Sequence, residues 1–142
     1  MKKVAFLAPS YPVLTETFIR TEVDSVSAYG HEVCVMTFTK YHDCGEFEYD
    51  IHVIGAKAYF SLISTLSPIG IMRALHFIAK QRAMPKLSLF RYSLRLALQM
   101  RKEGVSHAHA HFAQHTCAHA IVAAKMMDIT CSFVAHGHDI YE

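Results

Sequence analysis

The chain has 142 residues, room for one domain and hardly two. Its 52% apolar and 18% charged residues exclude intrinsic disorder and permit one buried core without disulfide or metal staples. A formal charge of +2 gives no ground, as a total, for nucleic-acid binding. Cys34, Cys44, Cys117 and Cys131 form no C-x-x-C pair, so a reduced, cytosolic compartment is expected. Met1-Lys2-Lys3 followed by Val4 to Ala8 imitates a signal peptide, but the apolar stretch is too short and Pro9-Ser10-Tyr11-Pro12 ends it. Ala58 to Met72 falls short of the roughly 20 apolar residues that span a bilayer.

Val4 to Ala8 is a continuous apolar run, the pattern of a strand covered on both faces and ended by Pro9. A helix follows, with Thr15 as its cap, Glu16 in the first turn and Leu14 and Ile19 as a staple. Ile19, Val23 and Val26 form its apolar stripe, and Gly30 suits its stop. His31 to Phe38 reads as a second strand, and Ile51 to Ile54 as a short third one. Ala56 to Lys102 is helical, broken near Ser67-Pro68 and Met84-Pro85. Val105 to Phe112, Gln114 to Met127 and Ile129 to Ala135 then give strand, helix and strand. This alternation predicts an α/β, Rossmann-like open parallel sheet in the order 3-2-1-4-5, with helices on both faces, as one domain.

Ligands of such sheets bind beyond the carboxyl ends of the strands. Three polar clusters converge there: Ser10, Tyr11, Thr15 and Glu16 after strand one, His109 to Phe112 at the end of strand four, and His136 to Asp139 after strand five. No G-x-G-x-x-G follows the first strand, which argues against a bound dinucleotide. Eleven histidines raise the question of a metal. His107, His109 and His111 share one strand face, and His115 and His119 are spaced i, i+4. H-E-x-x-H is absent, so we assign no metal; His107 and His119 read as structural, and His111 and His136 as functional.

Three ordered stretches resemble the N-terminal domain of family 4 glycosyltransferases, which have the GT-B fold. Ser10 to Ile19 (SYPVLTETFI) resembles the family's P-x-x-S-E-T-F-I helix start, with Thr15 in place of the usual Ser. His107 to Ala113 (HAHAHFA) is similar to its V-H-A-H-F-A strand, and Phe133 to Tyr141 to its T-x-H-x-x-D-I strand end. Gly30-His31-Glu32-Val33 matches its G-H-E-V step.

The resemblance implies residues 1–142 to be the acceptor-binding half of a retaining transferase. Sugar would pass from a nucleotide-sugar donor to a glycan or lipid-linked acceptor, with no cofactor. His136 is the implied catalytic residue. Ser10, Tyr11, Thr15, Glu16, His111, His138 and Asp139 are the implied acceptor-binding set. For Glu16, a role in satisfying the helix dipole stands equally open. The resemblance also implies a second domain that holds the donor diphosphate, without which these residues are expected to be inert. A different class remains as the alternative: a non-catalytic metal- or ligand-binding module built on the His107 to His119 cluster.

From Ile51 to Lys102 there are nine Lys and Arg and no Asp or Glu. Leu87, Phe90, Leu94 and Leu98 separate from Arg91, Arg95 and Arg101 on the helical wheel. Residues 56–102 therefore suggest an anionic membrane surface as partner, at the inner face of the cell membrane, or a solvated basic face. No stacking platform accompanies the charges, which argues against nucleic acid.

Overall fold

Alternate residues of the first apolar run face opposite ways, and both sides find partners. In a computed structural model that describes residues 2–41, 45–55 and 60–137, β1 (Lys3–Tyr11) lies at the centre of a five-stranded sheet. The further elements in chain order are α1 (Thr17–Ala28), β2 (Glu32–Lys40), β3 (Asp50–Val53), a 3-10 turn (Phe60–Thr65), α2 (Pro68–Lys80), α3 (Lys86–Lys102), β4 (His107–His111), α4 (His115–Met127) and β5 (Thr130–Val134). All strand pairs are parallel and the order is β3-β2-β1-β4-β5, the order expected from the sequence. No helix among the described residues is long and apolar enough to cross a membrane.

The two faces of the sheet are covered unequally. Ala5, Leu7, Cys34, Met36, Ala108 and Ala110 enter one core with α2, α3 and α4. Phe6, Ala8 and Val35 meet Ile19 and Val23 of α1 in a second, smaller core. On the first side, α2 crosses α4 at Gly70, where a Cβ would stand 2.3 Å from the Lys125 carbonyl oxygen. Ser67 caps α2, accepting a bond from the Gly70 N–H, and Pro68 occupies its first turn.

Several local expectations are corrected. Pro9 does not end β1, which runs on to Tyr11. Pairing with β4 stops at Leu7, so beyond it β1 is laddered on one side only and tolerates a missing N–H. Thr15 does not cap α1. The Glu16 N–H closes a turn on the Val13 carbonyl, Glu16 itself takes the capping position without a side-chain bond, and Thr15 is exposed. Leu14 is 80% exposed, so no staple forms with Ile19. At the other end of α1, Gly30 has φ +87° and donates to Ser27, while the His31 N–H reaches Val26; this is a Schellman stop. Leu89, Leu94 and Leu98 of α3 are buried, but Leu87 is exposed rather than part of the apolar side.

Candidate functional site

A strand period of two sends Ala108 and Ala110 of β4 to the helical core and His107, His109 and His111 to the α1 face. There the histidines meet side chains from the flank of the α1 stripe. Glu22 Oε1 lies 3.2 Å from His109 Nε2, and Oε2 lies 3.5 Å from His111 Nε2. One turn earlier on α1, the Phe18 ring centre stands 4.7 Å from that of His136 and 6.1 Å from that of His111. Phe6 of β1 lies beneath His109 and His111 at 5.4 and 6.2 Å.

His136 follows β5, and its ring stacks parallel to His111 at 6.0 Å. The Phe112 ring centre lies 4.8 Å from that of His136, tilted to it. Phe112 has φ +69°, a conformation rare for a bulky residue, and its N–H donates to Val134 across the sheet. Such backbone strain costs about 1–3 kcal/mol and gathers at functional sites. Here it turns the aromatic ring at the strand end onto His136.

The histidines of β4 are tied together through β5. Ser132 Oγ lies 2.7 Å from both His107 Nε2 and His109 Nδ1, and Thr130 Oγ1 lies 2.7 Å from His107 Nδ1. Burial holds His111 down at about 4, helped by the nearby His109 and His136. Burial also lowers His109, against the pull of Glu22, and lowers His107, with His109 and Lys2 adding to the effect. These three rings are therefore neutral at pH 7. Burial raises the Glu16 carboxyl, with His136 pulling the other way, and its Oε2 is buried without a hydrogen bond.

Of the expected site residues, Glu16, His111 and His136 come together. Tyr11 does not offer a free hydroxyl: it is 1% exposed, its OH pairs with that of Tyr49, and its ring meets Phe47. Tyr11, Glu16 and Arg20 share the wall of a small cavity of about 70 Å³. Ser10 is half-buried near the end of β1, and Thr15 is exposed. His138 and Asp139 lie outside the described residues, as does Lys57 of the basic stretch.

The His107 to His119 cluster is divided by the sheet. His119 lies on the opposite face, 3.2 Å from Ser93 Oγ and among Phe38 and Tyr92, while His115 is exposed. Glu22 and Ser132 were not singled out by sequence. Glu22 sits on the flank of the Ile19, Val23, Val26 stripe, and an acidic residue there was the available signal. No protein-family model matches this chain, and no curated protein matches it significantly.

Proposed function

We propose that this chain is the acceptor-binding half of a retaining glycosyltransferase, moving a sugar from a nucleotide-sugar to a lipid-linked or polysaccharide acceptor. The observation that carries the reading is the meeting of the three resembling stretches at one ring. Phe18 from the first stretch, His111 and Phe112 from the second, and His136 from the third lie within 6.3 Å of a neighbour in the group. An imidazole flanked by packed rings has its orientation restricted, which suits it to polarise a reacting hydroxyl. The unsatisfied Glu16 Oε2 is an acceptor that a sugar hydroxyl would fill. In this reading residues 1–142 hold the acceptor, and charge stabilisation of the departing diphosphate is the task of a donor-binding domain.

The test is a titration with a lipid-linked glycan and with its free oligosaccharide, followed through the histidine ring signals in NMR spectra. Binding should move His111 and His136, and His136→Ala in the assembled enzyme should cut turnover by roughly 10²-fold. Ring signals that no glycan moves, together with near-normal turnover in a folded His136→Ala enzyme, would remove the reading.

Attachment to an anionic membrane surface belongs to the same proposal. Ile69, Met72 and Leu75 are exposed on α2, and Leu87 is exposed at the start of α3. Arg73, Lys80, Arg82 and Lys86 are exposed around them, although Arg73 also pairs with Asp128 at 3.0 Å. Apolar side chains beside basic ones, with no acidic residue from 51 to 102, fit an interfacial helix. Cosedimentation with anionic vesicles should be lost at high salt, as screening shortens the Debye length. Equal binding to neutral vesicles would remove the electrostatic part.

A further inference from the structure

Under α1, three side chains from two elements direct their ligating atoms to one place. Glu22 Oε1 is 3.2 Å from His109 Nε2, Glu22 Oε2 is 3.5 Å from His111 Nε2, and all three groups have donors within 4.8 Å of one another. A tetrahedral cation with bonds of about 2.0–2.2 Å holds its ligand atoms about 3.4 Å apart. The contacts are not hydrogen bonds: neither Nε2 makes one, and neither ring nitrogen of His111 does, although His111 is 0% exposed. Among the described residues, Glu22 has no lysine or arginine partner. A carboxylate facing two unbonded imidazole nitrogens in partial burial is unfavourable as it stands. A cation shared by the three lone pairs removes that cost.

We propose that Glu22, His109 and His111 form a site for a divalent first-row transition cation, with zinc as the working case. Two imidazoles and one carboxylate are a donor set that zinc takes in sites with an open fourth position, and that iron takes in its facial triads. Magnesium and calcium prefer oxygen ligands and suit it poorly. His109 is already oriented for the task, because its Nδ1 is 2.7 Å from Ser132 Oγ, leaving Nε2 toward Glu22. A second cluster, Asp50, His52 and Glu103, does not compete, because Lys3 Nζ already meets Glu103 at 3.1 Å. The proposal is independent of the transferase reading.

The test uses the chelator-treated chain, calorimetry with zinc chloride, and cobalt(II) as a visible probe of coordination. One equivalent should bind, and Glu22→Gln and His109→Asn should each weaken binding at least about tenfold. Circular dichroism checks that each variant is folded, and the cobalt spectrum of the unmutated chain reports coordination without any variant. His115→Ala, exposed on α4, should bind as the unmutated chain does. Absence of stoichiometric uptake by the unmutated chain overturns the proposal. So does uptake that survives both site variants and is lost when the exposed His31, His76 and His115 are replaced.

Discussion

Strand β4 carries opposite chemistries on its two faces. Ala108 and Ala110 are wholly buried against α4 and its neighbours, small enough for a helix to lie close. His107, His109 and His111 point the other way, toward α1, and gather Glu22, Ser132 and His136 around them. The helical side holds most of the apolar core, and the α1 side holds a polar cluster with unsatisfied groups. One side supplies most of the apolar burial, while the other holds buried polar atoms without hydrogen bonds. A buried polar group with unmade bonds costs about 1–3 kcal/mol, and the apolar core opposite offsets that.

The largest test of this division concerns His119, the imidazole on the stabilising side. Burial lowers its pKa to about 4, His115 adds repulsion, and the Leu89 carbonyl opposes both. The unfolded chain, with its ordinary value of 6.5, takes up the proton first. Stability is therefore intact above about pH 6.5 and falls as the pH drops toward 4. The loss attributable to His119 should reach roughly 3 kcal/mol. His119→Gln, which keeps a polar partner for Ser93, should remove that loss and so flatten the curve of unfolding free energy against pH between about 6.5 and 4. Equal slopes in the two proteins would mean that the helical side is wetter than its packing indicates.

Next in size is Gly70→Ala, at the crossing of α2 and α4. Two effects compete. Alanine favours the helix by up to about 1 kcal/mol, while its Cβ would lie 2.3 Å from the Lys125 carbonyl oxygen and 2.8 Å from that of Met126. Backbone cannot swing aside as a side chain can, so overpacking of about 1–3 kcal/mol prevails. Urea unfolding should show a net loss of about 1 kcal/mol or more, and a stabilised variant would show that the helices move apart freely.

Much of the architecture was legible because parallel strands announce themselves as apolar runs between helical stretches. Val4 to Ala8, His31 to Phe38 and the histidine strand take the expected order. The convergence of Glu16, His111 and His136 followed from strand ends alone. What was not legible depended on which face each helix covers. His119 is four residues from His115 and eight from His111, yet α4 packs opposite α1, so the run of histidines splits across the sheet. Glu22 was hidden for the complementary reason: in sequence it stands between Thr21 and Val23 on an amphipathic helix like any solvent-side carboxylate, and only the register of α1 over β4 brings it to His109. Tyr11 reads as a loop residue if Pro9 ends the strand, whereas one-sided pairing carries β1 past it.

The smallest expected effect concerns the start of α1, where sequence and structure disagree outright. A threonine cap replaced by alanine costs about 1 kcal/mol, because an orphan helix N–H loses its acceptor. In this chain the Glu16 N–H is already bonded to the Val13 carbonyl at 3.1 Å, and the Ile19 N–H to the Glu16 carbonyl at 3.1 Å. No side chain caps the helix, and Thr15 stands exposed on the turn before it. Thr15→Ala should therefore change the unfolding free energy by no more than about 0.5 kcal/mol, the range of ordinary surface substitutions. A loss near 1 kcal/mol would restore Thr15 as the cap and move the start of α1 back by a residue. Because Glu16 then shifts from the capping position into the first turn, its unsatisfied Oε2 would be drawn to the helix N–H groups and away from His136. The same small measurement thus decides whether the polar face owes its open carboxylate to the turn at Val13–Glu16.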